Sequence, residues 1–308
     1  MQIYLPIAEL SVNMFTIFGM GAAVGLVSGL FGVGGGFLLT PLLIFTGIPP
    51  AVAVGTVTSQ IVASSASGAL SYWRRQLIDW KLAGYLCVSG ILGAAIGAVA
   101  FQWLRRVGQL DLFIGISYVL FLGFIGALMV WESMRAILGD KFGWQPPPVK
   151  PPMSHKLANW PLKVRFHRSR LYISALPIAA LGVFIGFMGT LLGIGGGFIM
   201  VPALIYLFNV PTNVVIGTSL VQILFTMSAA TIFQSGLNST VDIVLALILM
   251  IGGVIGAQFG ARIGQKLKGE QLRALLGFLI LAVGIRFLYD LAVYPTDLFS
   301  LAPALGSK

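Results

Sequence analysis

Charged side chains make up only 9% of this 308-residue chain, whereas 57% of its residues are hydrophobic. A soluble domain carries about a quarter charged residues and could not cover its surface with so few. The composition therefore excludes the soluble class and leaves a polytopic integral membrane protein, crossed by apolar stretches of about 20 residues. Cys87 is the single cysteine, which excludes an intrachain disulfide and a cysteine-based metal site. The two histidines, His155 and His167, share one polar stretch and read as surface residues, so no metal and no cofactor is expected. Acidic residues are equally sparse: Asp79, Asp111, Glu132, Asp242 and Asp290 all fall near expected helix ends. No carboxylate is left at mid-membrane to bind a cation or relay a proton. Without a His, Cys or carboxylate cluster at that depth, an intramembrane enzyme is disfavoured. Residues 1–12 contain no Lys or Arg, and the apolar run after them leads into the repeated unit described next, so a cleaved signal peptide is not expected.

What the chain does have is a duplication. GLFGVGGGFLLTPLLIF runs from Gly29 to Phe45, and TLLGIGGGFIMVPALIY runs from Thr190 to Tyr206. Gly32, Gly34, Gly35, Gly36, Phe37 and Pro41 match Gly193, Gly195, Gly196, Gly197, Phe198 and Pro202 at a constant offset of 161. After a one-residue slip, Pro49, Gly55, Thr56, Gln60 and Ile61 match Pro211, Gly217, Thr218, Gln222 and Ile223. A second slip aligns Asp79, Gly90, Gly93, Ala94 and Gly97 with Asp242, Gly253, Gly256, Ala257 and Gly260. Paired interruptions of hydrophobic segments at corresponding places in two halves point to a transport site.

Five apolar segments are expected per half, at 13–31, 36–47, 51–72, 80–103 and 110–134, then 171–192, 197–209, 212–234, 241–264 and 271–291. The segments opening at Gly36 and Gly197 are too short to cross the hydrocarbon layer and read as half-helices. This divides the chain into a first membrane repeat (1–135), a connector (136–170) and a second membrane repeat (171–308). The connector holds QPPPVKPP, which is extended rather than helical, and then the basic WPLKVRFHRSR. It reads as a solvated cytoplasmic linker or as a segment lying on anionic lipid headgroups. The net charge of +10 comes from basic residues between spans, where it marks the cytoplasmic side and does not imply nucleic acid. An inverted arrangement puts Arg74, Arg75, Lys81, the basic connector, Arg262, Lys266, Lys268 and Arg273 together inside. Only Arg105, Arg106, Arg286 and Lys308 then lie outside, a better fit to the positive-inside rule than parallel halves give. The expected fold is thus an all-α integral membrane protein, a polytopic helical bundle of two homologous inverted repeats with helices broken at the glycine-rich motifs.

Glycines permit backbone conformations closed to other residues and let a ligand approach the main chain. Helices starting at Gly36 and Gly197 would aim unpaired N–H groups and positive dipole ends into the two breaks, forming an anion site without a buried cation. The candidate main-chain donors are Gly34, Gly35, Gly36, Gly195, Gly196 and Gly197. The third segment of each half adds Thr56, Ser59 and Gln60, then Thr218, Ser219 and Gln222, as side-chain donors, and it also carries Thr58, Ser64, Ser65 and Thr226. Thr56 and Gln60 share a helix face, as do Thr218 and Gln222. The competing explanation is that Ser, Thr and Gly only promote close helix packing, and that reading is preferred for Gly90, Gly93, Gly97, Gly253, Gly256 and Gly260.

The twofold G-x-G-G-G-F-x-x-x-P pattern followed by P-x-x-x-x-x-G-T-x-x-x-Q resembles the sulfite exporter TauE/SafE family, also called the 4-toluene sulfonate uptake permease family. The resemblance spans roughly Gly19 to Leu291. It implies a multi-pass secondary transporter of the bacterial inner membrane, moving sulfite, sulfoacetate, sulfonates or related anions. The expected partners are a small anionic substrate and membrane lipids. An anion channel, or a membrane-assembly or sensory partner protein, would be the alternatives.

Overall fold

The computed structural model describes residues 2–31, 34–142, 163–166, 171–206, 208, 210, 212–264 and 269–292. It is an all-α polytopic membrane protein. The first half comprises β1 (Gln2–Leu5), β2 (Leu10–Asn13), α1 (Met14–Phe31), α2 (Gly36–Phe45), α3 (Pro50–Arg74), α4 (Trp80–Arg106) and α5 (Leu110–Phe142). The second comprises β3 (Lys163–Phe166), β4 (Leu171–Ser174), α6 (Ala175–Leu192), α7 (Gly197–Tyr206), α8 (Thr212–Phe233), α9 (Ile243–Gly264) and α10 (Gly269–Ala292). A π-helical turn, Gln234–Asn238, continues α8. Among the described residues, five stretches are long and apolar enough to cross a membrane: Trp80–Arg106, Leu110–Trp131, Ala175–Leu192, Val214–Asn238 and Ile243–Gly260. Helices α2 and α7 have 10 residues each, about 15 Å of helix, or half a hydrocarbon layer.

The helix starts follow from local chemistry. Asp79 Oδ1 accepts from the Leu82 N–H at 3.2 Å, and Asp242 Oδ1 accepts from Val244 and Leu245 N–H at 3.0 and 3.1 Å. Each carboxylate thus satisfies donors at the positive end of its helix, α4 or α9. These two acids lie at helix ends as the sequence suggests. Glu132 does not, because α5 runs on to Phe142. The Met, Arg, Ala and Leu that follow Glu132 favour helix, and the first proline comes only at Pro146.

The hairpins were not expected, and they repeat as well. Strand β1 pairs antiparallel with β2 in the register Gln2↔Asn13 to Leu5↔Leu10, and β3 pairs with β4 from Lys163↔Ser174 to Phe166↔Leu171. Corresponding strand ends differ by the same 161 residues as the glycine motifs. The apolar segment expected to begin as helix at 171 therefore opens as a strand. Helix α6 starts only after Ser174, whose Oγ accepts from the Leu176 N–H at 3.2 Å, as Asn13 Oδ1 accepts from Phe15 N–H at 3.0 Å before α1. Pro146–Pro152, His155 and His167 lie outside the described residues.

The helices pack in mated pairs. Helix α1 lies along α9 and α4 along α6, both parallel. A Cβ on Gly21 would sit 3.0 Å from Leu249 O, and Gly25 abuts Gly253 and Gly29 abuts Ala257 one and two turns on. Gly186 abuts Gly90 in the same way, and a Cβ on Gly97 would sit 2.7 Å from Phe187 O. These close approaches are the small-residue packing expected of Gly90, Gly93, Gly97, Gly253, Gly256 and Gly260. Helices α3 and α8, which are equivalent in the two halves, run antiparallel: Thr231 Oγ1 donates to Thr58 Oγ1 at 2.9 Å, while Gly68 faces Leu220. Helices α5 and α10, also equivalent, are antiparallel too, with Gly126 against Leu281 and Gly277 against Met129.

Candidate functional site

The described glycines of the two breaks share a left-handed backbone. Gly34 and Gly35 have φ of 87° and 71°, and Gly195 and Gly196 have φ of 76° and 72°. A side chain at such angles costs about 1–2 kcal/mol, so glycine is required there. The reversal ends one helix and starts the next. Gly35 O accepts from Leu38 and Leu39 N–H, and Gly196 O accepts from Ile199 and Met200 N–H, as N-cap carbonyls do. Gly36 N–H turns back on Gly34 O at 3.0 Å.

The structure brings the two breaks together. Phe37 and Phe198, which follow the repeated glycines, stack with ring centroids 5.4 Å apart. A Cβ on Gly36 would sit 2.6 Å from Gly193 O, across the boundary between the halves. Ile61, at the middle of α3, lies against Gly34, Gly36 and Gly195, and its counterpart Ile223 also faces Gly34. Both isoleucines are buried. The positive ends of α2 and α7 thus open toward one small region packed around Ile61.

The polar residues of α3 and α8 divide into two groups. Thr56 Oγ1 accepts from the Asp242 N–H at 3.0 Å, and Thr218 Oγ1 accepts from the Asp79 N–H at 3.1 Å. Each threonine therefore holds the start of a helix in the opposite half. Ser59 Oγ donates to Thr56 O at 2.6 Å, Ser219 Oγ to Ile216 O at 3.0 Å and Ser64 Oγ to Ile61 O at 3.1 Å, all back onto their own helices. Gln60 is buried against Gly253, and neither its Nε2 nor its Oε1 has a hydrogen-bond partner among the described residues. Gln222 faces Gly90; its Nε2 donates to Thr226 Oγ1 at 2.9 Å, and its Oε1 has no such partner. Buried polar atoms left in this state cost about 1–3 kcal/mol each, which makes them exceptional.

Some relevant residues were not singled out from the sequence. Thr40 Oγ1 donates to Gly193 O at 3.3 Å, Tyr118 OH to Leu192 O at 2.7 Å and Gln234 Nε2 to Thr190 O at 3.0 Å. Together they hold the carbonyls at the end of α6. Only the mismatch between the halves, Thr40 against Val201 and Tyr118 against the aliphatic Leu279–Leu281, marked the first two in the sequence. Among the described residues no group of three or more His, Cys, Asp and Glu is placed to hold a metal.

Residues 17–287 match the family model described as Sulfite exporter TauE/SafE. The chain is similar to "Probable membrane transporter protein YjnA" of Bacillus subtilis (strain 168), with 31% identity over 87% of this chain and 97% of the relative. It is also similar to "Probable membrane transporter protein" of Xylella fastidiosa (strain 9a5c), with 26% identity over 89% of this chain and 94% of the relative. "Sulfite exporter TauE/SafE family protein 5" of Arabidopsis thaliana is 30% identical over 42% of this chain and 30% of its own length. No solved structure matches the chain significantly.

Proposed function

The chain belongs to the sulfite exporter TauE/SafE family of membrane transporters, and from that premise we propose that it carries small sulfur-containing anions, of sulfite, sulfonate or sulfoacetate type, across the bacterial inner membrane by alternating access. The observation that carries this reading is the meeting of the two glycine breaks around Ile61 and the Phe37–Phe198 stack. Two helix N-termini facing one region favour negative charge, and an anion held there needs no buried cationic side chain. Gly34, Gly35 and Gly195–Gly197 offer main-chain donors, the Gly36 N–H being taken by Gly34 O, and Gln60 and Gln222 are side-chain amides of α3 and α8 with atoms still unpaired. The hydroxyls of Thr56, Ser59, Thr218 and Ser219 are already engaged with backbone groups and serve mainly to hold helices.

The antiparallel packing of equivalent helices, α3 on α8 and α5 on α10, supports an inverted relation between the halves. In such a pair each half can adopt the other's conformation, which opens the site to alternate sides. The region around Ile61 is packed in this structure, as an occluded state would be. Movement of one half against the other would part Ile223 from Gly34 and free the first break for an anion.

Flux of sulfite, thiosulfate, sulfoacetate, taurine and acetate into proteoliposomes tests the proposal. Saturable uptake confined to sulfur oxyanions, with counterflow from preloaded vesicles, is the expected result. Non-saturating flux without counterflow would replace the carrier by a channel. Absence of flux with every sulfur oxyanion would remove the substrate assignment.

A further inference from the structure

Building on the anion-transport reading above, we propose that the two breaks divide the work: the first, with Ser65 as its side-chain donor, contacts the oxyanion, and the second is a fixed strut. The backbones of Gly34–Gly35 and Gly195–Gly196 match, but the side chains around them do not. Ser65 is fully buried, and its Oγ lies 3.8 Å from where a Cβ on Gly34 would stand. That hydroxyl has no hydrogen-bond partner among the described residues, although Ser59 and Ser64 beside it on α3 both donate to carbonyls of their own helix. It is a donor held at the positive end of α2 with nothing to donate to. The equivalent position in the second half is Met227, which cannot donate, and Gly195 meets Ile61 instead.

The second break is tied in a way the first cannot copy. Thr40 and Tyr118, both from the first half, donate to Gly193 O and Leu192 O. Their counterparts are Val201 and the aliphatic stretch Leu279–Leu281, which have no polar hydrogen. The amides follow the same division, since Gln222 is bonded to Thr226 while Gln60 has both ends unpaired. Of the unpaired donors, Gln60 Nε2 and Ser65 Oγ lie in the first half, whereas Thr190 Oγ1, in the second, belongs to a side chain packed against Gly97 of α4 and not against Gly195. A small oxyanion of the sulfite type, with several acceptor oxygens, fits a neutral hydroxyl beside a helix N-terminus.

The test is sulfite uptake by the full-length protein in proteoliposomes, with the thermal midpoint of each variant measured in parallel. Ser65→Ala is expected to raise KM about tenfold, the loss of one hydrogen bond to a charged group, with kcat little changed and the thermal midpoint of the ligand-free protein equal to or above wild type. Ser65→Cys, a weaker donor of similar shape, should fall between wild type and Ser65→Ala. Thr40→Val and Tyr118→Phe should lower the thermal midpoint and leave KM within about twofold. A wild-type KM in both Ser65 variants, or an equal KM rise in Tyr118→Phe, would overturn the division of labour while leaving transport itself standing. A wild-type protein that moves no sulfur oxyanion would instead remove the substrate assignment on which this proposal rests, and the proposal with it.

Discussion

Phe37 stacks on Phe198, its own counterpart in the second half, at 5.4 Å between ring centroids and 28° between ring planes. In an inverted pair of repeats such a contact between equivalents falls close to the two-fold axis, and this one lies beside the glycine breaks. The crossings of α3 with α8 and of α5 with α10 also join equivalent helices.

The strained glycines should be intolerant of a methyl group. Gly196 has φ of 72°, and a Cβ there would collide with Ile185, whereas Gly19 is an ordinary helical residue with nothing within 4 Å of the added atom. Gly196→Ala should lose about 2 kcal/mol or more, from left-handed strain together with overpacking, and Gly19→Ala should be neutral or slightly stabilising. Thermal unfolding in detergent compares them, and equal midpoints would contradict the backbone assignment.

Thr56 and Thr218 should behave as structural clasps. Each accepts from the N–H of a capping aspartate in the other half. Thr56→Val and Thr218→Val should each cost about 1–2 kcal/mol by leaving that N–H buried and unpaired, with little change in KM. Because the two clasps share no partner, their effects should add in the double variant. A large KM increase without loss of stability would return these hydroxyls to the substrate.

The duplication and the breaks were legible because their chemistry leaves little choice. A left-handed turn demands glycine, and the demand occurs twice at one spacing. The hairpins were not legible, since four residues such as KVRF carry too short a pattern to separate a strand from a basic linker. The polar lining was legible only as a composition. Ser59, Ser64 and Ser65 look alike in sequence, and only side-chain geometry shows two of them bonded to their own helix and one not. Which threonines hold caps was hidden for another reason: Thr56 and Asp242 are 186 residues apart.

Asp242 should couple the first hairpin to the second half. Its Oδ2 accepts from the Ile7 N–H at 2.9 Å while Oδ1 caps α9. Asp242→Asn can keep the cap through its oxygen, but its amide nitrogen cannot accept from Ile7. Limited proteolysis near residues 6–9 should accelerate in Asp242→Asn, with stability falling by about 1 kcal/mol. Asp242→Ala should show the same cleavage and lose a further ~1 kcal/mol with the cap. Cleavage unchanged in both would detach the hairpin from this carboxylate.

Gln60 offers the sharpest opposition between stability and function. Its amide is buried with both polar atoms unpaired, which costs about 1–3 kcal/mol per atom in the absence of a ligand. A purely structural glutamine would be retained for a bond it makes, as Gln222 bonds Thr226. Gln60→Met keeps the length and removes the unpaired atoms, so it should raise the thermal midpoint of the ligand-free protein while slowing sulfite uptake at least tenfold. Gln222→Met removes a bonded amide and should not stabilise to the same degree. Buried polarity that destabilises the empty protein is reasonable only if a polar ligand or a second conformation satisfies it. Sulfite should therefore raise the midpoint of wild type more than that of Gln60→Met, narrowing the gap between them as its concentration increases. A destabilised Gln60→Met protein with normal uptake would make the glutamine an ordinary packing residue.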